Sequence, residues 1–198
     1  MSYEIPAKPT MYNGISFRSR LESKWAAFFD LTEWQWEYEP SEINGYNPDF
    51  IIKCTSGYYK TNTIIIEVKP SVMATKEELH KFYNKYKNVP AHLLFLTDMP
   101  FTEKSQTDEA IVVIGWGRQY NPELNGEIPP ENALVTIEMK CENDFGSTLF
   151  QYDGMVHGLI ERKYFLVKTD SLYDFIIRRW KQAGNMVQFK VKRGGNYE

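Results

Sequence analysis

The chain has 198 residues, 42% of them hydrophobic and 15% aromatic, and a formal net charge of -3. This composition excludes a disordered or fibrous protein and a uniformly basic nucleic-acid coat, while the length suits one sizeable core with an elaboration better than two full domains. Cys54 and Cys141 are the only cysteines, too few for a disulfide framework or a four-cysteine zinc site, and no stretch approaches the ~18 apolar residues of a spanning helix, so no structural zinc, no membrane association and a cytoplasmic location are expected.

Residues 17–31 read as a helix. Leu21, Trp25, Phe28 and Leu31 recur at helical spacing, Arg18, Arg20 and Lys24 lie outside, and Ser19 with Glu22 makes a capping-box pair. Three short β-rich runs follow, Trp36 to Pro40, Phe50 to Lys53 and Thr63 to Lys69, separated by Gly, Asn and Ser and expected to form an antiparallel unit with a turn near Gly57. Thr75 precedes Glu78 by three residues, a second capping-box pattern, and Leu79, Phe82, Tyr83 and Tyr86 supply the apolar stripe of a helix stopped before Pro90. Ala91 to Leu96 then has the length and composition of a strand.

In the second half, Ala110 to Trp116 and Leu134 to Met139 are expected strands of the same sheet, joined by a loop through Pro122, Pro129 and Pro130. A helix from about Ser171 to Gln182 places Leu172, Phe175, Ile176 and Trp180 inward and ends near Gly184. Val187, Phe189 and Val191 then alternate with polar residues as an edge strand. The expected class is α/β with a mixed sheet, carrying a core over residues 1–100 and, over 101–198, a β-rich and helical extension of the same domain.

Chemistry concentrates between residues 47 and 69. Strand alternation puts Glu67 and Lys69 on one face with Ile65, and Ile66 and Val68 on the other. Asp49 opens the preceding strand and comes beside Glu67 if the two pair. Two carboxylates and an ammonium suit a hard divalent cation and a phosphodiester. Each part also has a structural explanation: Glu67 with Lys69 is an ordinary ion pair, Pro48-Asp49 is a common turn dipeptide, and Glu22 can cap its helix with Ser19 or pair with Arg18 at i,i+4. The run Ile64-Ile65-Ile66 nevertheless commits Glu67 to a buried strand, where a carboxylate needs a partner or a metal.

In chain order, Arg18-Ser19-Arg20-Leu21-Glu22 with Trp25 and Phe28-Phe29, Tyr38-Glu39-Pro40, Tyr46-Asn47-Pro48-Asp49-Phe50 and Glu67-Val68-Lys69-Pro70 closely resemble the PD-(D/E)XK nuclease superfamily over residues 14–97, most of all the small nucleases of bacteriophages and transposons. The resemblance implies a restriction-endonuclease-like αβββαβ core and metal-dependent hydrolysis of DNA. It implies Mg²⁺, or Mn²⁺ in its place, on Asp49, Glu67 and the Val68 carbonyl, with Lys69 orienting or activating the attacking water. Glu22 would serve a second ion directly or through a water. Implied partners are DNA and either a second copy or another protein of a phage or transposon complex; the alternative is a nuclease-like DNA-binding or assembly subunit, inactive without a partner.

Glu39 is a further candidate ligand at the end of its strand, with a solvated glutamate as the plain alternative. Lys76 and His80 lie on the polar stripe of the second helix with Asn84 and Lys87, and are either phosphate contacts or a solvated face. Arg178, Arg179 and Lys181, with Lys190, Lys192 and Arg193, form two clusters without an acidic residue and are candidates for DNA contact or a lysine-protected edge. Trp116 is a packing residue or a base-stacking one. His92 and His157 have no ligand partner in the sequence and receive no role.

Overall fold

A computed structural model of the chain describes residues 9–32, 34–53, 63–72, 74–104, 110–118, 134–137, 139–140, 144–149, 158–163 and 172–187. The turn near Gly57, the loop through Pro122, Pro129 and Pro130, both cysteines, His157 and the segment after Val187 lie outside these residues.

The first element is a hairpin, β1 (Thr10–Tyr12) and β2 (Ile15–Phe17). Its turn is Asn13-Gly14, with φ of 48° and 80°. Two successive left-handed residues match the right-handed strand twist, and Asn-Gly tolerates them best. The expected helix therefore begins later than residue 17: α1 is Arg20–Leu31, with Ser19 as N-cap in extended geometry and its Oγ accepting the Glu22 N–H at 3.1 Å. Phe17, at the start of the helix expected over 17–31, belongs to β2 and is buried against Tyr38, with ring centroids 4.3 Å apart. At the other end the Thr32 hydroxyl donates to the Phe28 carbonyl, and the Arg179 Nε–H donates to the Leu31 carbonyl at 3.1 Å. The Phe28 carbonyl also accepts the Thr32 N–H at 3.0 Å, so it is the Arg179 bond that satisfies a carbonyl in the last turn of the helix.

The main sheet has six strands in the order β3-β4-β5-β6-β7-β8: β3 (Gln35–Tyr38), β4 (Phe50–Lys53), β5 (Thr63–Val68), β6 (His92–Lys104), β7 (Ala110–Arg118) and β8 (Leu134–Ile137). All neighbouring pairs are antiparallel except β5 with β6, which α2 (Lys76–Lys85) connects as a crossover. The capping box of Thr75 and Glu78 is present in both directions. Strand β6 runs well past Leu96, with a register shift against β7 between Leu96 and Phe101. Met139 leaves the expected β8 and joins Lys140 as β9, which with β10 (Asp144–Leu149) and β11 (Gly158–Lys163) forms a separate three-stranded sheet.

Strands β5 and β6 are covered on both faces, which is why β5 reads as a continuous apolar run. Ile64, Ile66, Val68, Leu94 and Leu96 pack beneath α1 and α3 (Leu172–Met186) with Trp25, Phe28, Phe29 and Trp180. Ile65, Leu93, Phe95 and Trp116 pack beneath α2 with Leu79, Phe82 and Tyr83. Trp116 is thus a core residue. Ile64, Ile65 and Ile66 are fully buried, each contributing ~2–3 kcal/mol of apolar burial and together holding β5 in register.

Helix α3 continues through Gly184 to Met186 instead of ending there. Gly184 faces Lys24, where an added Cβ would stand 3.2 Å from Cε, so this glycine permits close helix approach and does not terminate the helix. The Lys24 ammonium lies 3.8 Å from the Trp180 ring centroid. Val187, expected in an edge strand, is buried in the turn that ends α3. The described residues contain no helix long and apolar enough to cross a membrane.

Candidate functional site

The candidate residues gather where β5 ends beside the start of β4 and the N-terminus of α1. The β4–β5 register pairs Phe50 with Ile66, and the Asp49 N–H continues it by donating to the Ile66 carbonyl at 3.1 Å. Asp49 and Glu67 therefore occupy neighbouring places on adjacent strands. The Lys69 N–H donates to the Leu96 carbonyl at 2.9 Å, carrying the parallel ladder one step beyond Val68. Side chains here stand outside the carboxyl ends of two parallel strands, the usual ligand position of an α/β sheet.

Asp49 is 5% exposed and Glu67 6%. Asp49 Oδ2 accepts the Val68 N–H at 2.7 Å, and Oδ1 accepts from a terminal guanidinium nitrogen of Arg18. Arg18 also places Nε 2.7 Å from Glu39 Oε1 and 3.8 Å from Glu22 Oε2. Lys69 Nζ lies 2.7 Å from Glu67 Oε1, and Lys85 Nζ approaches the same oxygen at 3.5 Å from α2.

Glu22 is turned inward and held on both oxygens: Ser19 Oγ donates to Oε1 at 2.9 Å and Tyr38 Oη to Oε2 at 2.6 Å. The Tyr38 oxygen in turn accepts the Arg18 N–H at 3.0 Å. The ion pair expected with Arg18 is present, whereas the capping box expected with Ser19 is only half formed: Ser19 Oγ caps the Glu22 N–H, but the Glu22 carboxylate takes the Ser19 hydroxyl and not its backbone N–H. Its burial and its bond from Tyr38 tie it to β3 as well.

Burial pushes the Asp49 carboxyl up to about 6, reinforced by the negative charge of Glu67 and then Glu22, against the Val68 N–H and the Lys69 ammonium. Arg18 divides its charge among three carboxylates and has a side chain 56% exposed, so solvent screens its help to Asp49. Burial favours loss of the Lys69 proton, but the hydrogen bond and charge of Glu67 outweigh it and raise the pKa. Lys69 is thus held as an ammonium against Glu67 in the metal-free fold. Tyr38 is pushed up to about 12 by burial and by its bond to Glu22, so it remains a donor.

Among the described residues no three His, Cys, Asp or Glu side chains form a ready-made metal cluster. The donor chemistry on Asp49 and Glu67 still fits a divalent cation: the donors are hard carboxylate oxygens, both buried and neighbours on adjacent strands, where burial and then the charge of Glu67 disfavour the Asp49 carboxylate and a cation would relieve that cost. Glu39 is exposed, with φ of 41°, and its carboxylate faces Arg18.

The remaining expected contacts are dispersed. Lys76 and His80 are exposed on α2, and the basic residue of that helix that reaches the carboxylates is Lys85. Arg178 and Lys181 are exposed on α3, whereas Arg179 is tied to the Leu31 carbonyl, nine positions along α1 from Glu22 or roughly 14 Å along the helix axis. Lys190, Lys192 and Arg193 lie outside the described residues.

Arg18, Tyr38 and Lys85 belong to the site and were not assigned to it from the sequence. A weak signal existed for Lys85, which follows Phe82 by three residues and so continues the inward stripe of α2. The loop between β3 and β4 steadies it: the Asn44 side-chain amide donates to the Lys85 carbonyl at 2.9 Å, and the Lys85 ammonium lies 5.6 Å from the Tyr46 ring centroid. No family model, curated protein or solved structure matches this chain.

Proposed function

We propose that this chain is a divalent-metal-dependent deoxyribonuclease with a restriction-endonuclease-like core, of the kind carried by phages and mobile elements. The observation that carries the reading is the buried pair Asp49 and Glu67 on adjacent strands, faced by the Lys69 ammonium and adjoined by helix-borne Glu22. The order α1, β3, β4, β5, α2, β6, with β3 to β5 antiparallel and β6 parallel to β5, supports the core assignment.

Asp49 and Glu67, with the Val68 carbonyl, would hold Mg²⁺ or Mn²⁺. When bound, such a cation supplies Lewis-acid polarisation of the phosphodiester and makes a water more acidic. The protein's own groups do the rest. Lys69, fixed against Glu67, orients the attacking water and offsets charge developing on the phosphate as the P–O bond to the leaving oxygen breaks. Lys85 adds a second ammonium at the same carboxylate. Glu22 would serve a second ion or a water from the α1 side, its orientation set by Tyr38 and Ser19.

The decisive experiment is cleavage of DNA by the full chain with Mg²⁺ or Mn²⁺, beside Asp49→Ala and Glu67→Ala. Metal-dependent cleavage lost in both variants is expected, and cleavage unchanged in both would sink the assignment.

A further inference from the structure

Arg18 is bound where a nuclease reading wants a metal. Its fork joins Asp49 Oδ1 to Glu39 Oε1, while Asp49 Oδ2 is taken by the Val68 N–H. A guanidinium does not lose its proton in a protein, so it yields the carboxylate only by moving. The structure permits that movement. The Arg18 side chain is 56% exposed against 6% for Asp49, while its backbone is anchored by the N–H bond to Tyr38 at 3.0 Å, so displacement needs rotation of the side chain alone.

Charge balance gives the displacement a direction. Four carboxylate side chains, Glu22, Glu39, Asp49 and Glu67, face three cationic ones, Arg18, Lys69 and Lys85, so the formal charge of the cluster is -1. Adding a divalent cation makes it +1, the sign that retains a phosphodiester anion. A second cation on Asp49 repels the guanidinium at once. Glu39 keeps it nearby: this residue is 41% exposed on its side chain and held at φ of 41°, a costly geometry for a non-glycine, with its N–H bonded to the Asp49 carbonyl at 2.9 Å. A planar fork so placed matches two phosphate oxygens as well as it matches carboxylates.

We propose that Arg18 is an exchangeable counter-ion, which neutralises Asp49 in the metal-free protein and, once a divalent cation takes that carboxylate, becomes a ligand of the substrate phosphate. The proposal rests on the nuclease reading and assigns Arg18 a role that reading does not need.

Two affinities measured on the full chain test it: Mn²⁺ binding by calorimetry without DNA, and binding of a short fluorescent duplex in Ca²⁺, a hard cation taken by the same class of oxygen ligands. Arg18→Met is expected to bind Mn²⁺ ~10-fold more tightly and the duplex ~10-fold more weakly, each the effect of one charge contact of moderate strength. Opposite signs mark the exchange, since a merely structural arginine would weaken both and a simple DNA contact would weaken only the duplex. Mn²⁺ affinity unchanged or reduced, or duplex affinity unchanged, overturns the proposal. If circular dichroism shows that Arg18→Met does not fold, Arg18→Lys carries the same test, because a lone ammonium does not span Asp49 and Glu39 or grip phosphate with two bonds. Wild-type protein that binds neither Mn²⁺ nor duplex sinks the nuclease reading together with the exchange. Wild type that binds both, with an arginine variant that shifts neither, sinks the exchange alone.

Discussion

The Tyr38 hydroxyl donates to Glu22 Oε2 at 2.6 Å, joining strand β3 to the first turn of α1 across the buried side of the candidate site. Glu22 is 8% exposed, so this bond supplies solvation that water does not. Tyr38→Phe keeps the ring against Phe17 and Phe50 while deleting the donor. It should cost ~1.5–3 kcal/mol in urea unfolding, the range for a hydrogen bond to a charged group. It should also lower metal-dependent cleavage by ~10-fold, through a misplaced Glu22. Stability and cleavage both unchanged would show that Glu22 needs no fixed donor.

Asp49 is an unfavourable charge in the metal-free fold. Its carboxyl is raised from 3.8 to about 6 by burial and by Glu67, so the folded chain holds a proton that the unfolded chain releases. The stability contributed by that proton is complete below about pH 4 and lost as pH rises through about 6. In EDTA at neutral pH, Asp49→Asn should therefore be more stable than wild type by ~1–3 kcal/mol, the full shift less the lost pairing with Arg18. That gap should close on acidification to pH ~4. Chemical unfolding at both pH values checks it, and a variant less stable than wild type at neutral pH contradicts it.

His92 works in the opposite direction. Burial at the start of β6 lowers it from 6.5 to about 4, so the folded chain keeps it neutral where the unfolded chain binds a proton. Its contribution is present above pH 6.5 and lost as pH falls towards 4, about 3 kcal/mol across the window. Because this window overlaps that of Asp49 with opposite sign, the wild-type curve is partly flattened. His92→Phe should lose the acid-side decline and show the Asp49 slope alone. Unfolding curves with the same pH dependence in both proteins would remove His92 from the balance.

Gly115 sets how closely β7 passes β6. A Cβ at this position would stand 2.2 Å from the Phe95 carbonyl oxygen, which is ladder backbone and has little room to move. The register of β7 on β8 also shifts between Val113 and Gly115. Gly115→Ala should cost ~2–3 kcal/mol or more by overpacking, read as a lower urea midpoint. A midpoint unchanged from wild type would mean that the strands separate at little cost.

The parts legible from the sequence are those whose cause is local. The Ile64-Ile65-Ile66 run and the alternation around it place Glu67 opposite Ile66, and the Thr75–Glu78 capping box starts α2, both as expected. Phe17 stands four residues before Leu21 and fits the helical period, so the expected helix starts too early, although Asn13-Gly14 is a strong hairpin signal just before it. A glycine after an apolar stripe usually terminates a helix, so the expected end of α3 comes too soon, whereas Gly184 admits Lys24 from α1. Close approach between distant helices has no local signature.

Which carboxylates stand on which strands is legible in the chain, since strand alternation and an unbroken apolar run leave Glu67 and Lys69 one face to share. What neutralises them follows from packing between distant elements. Arg18 lies 31 positions before Asp49 and Lys85 lies 18 after Glu67, and each meets its carboxylate because β3–β4–β5 pairing and the docking of α1 and α2 bring those elements to one end of the sheet. Periodicity in a chain is a short-range property; the pairing of buried charges is set by packing over the whole fold.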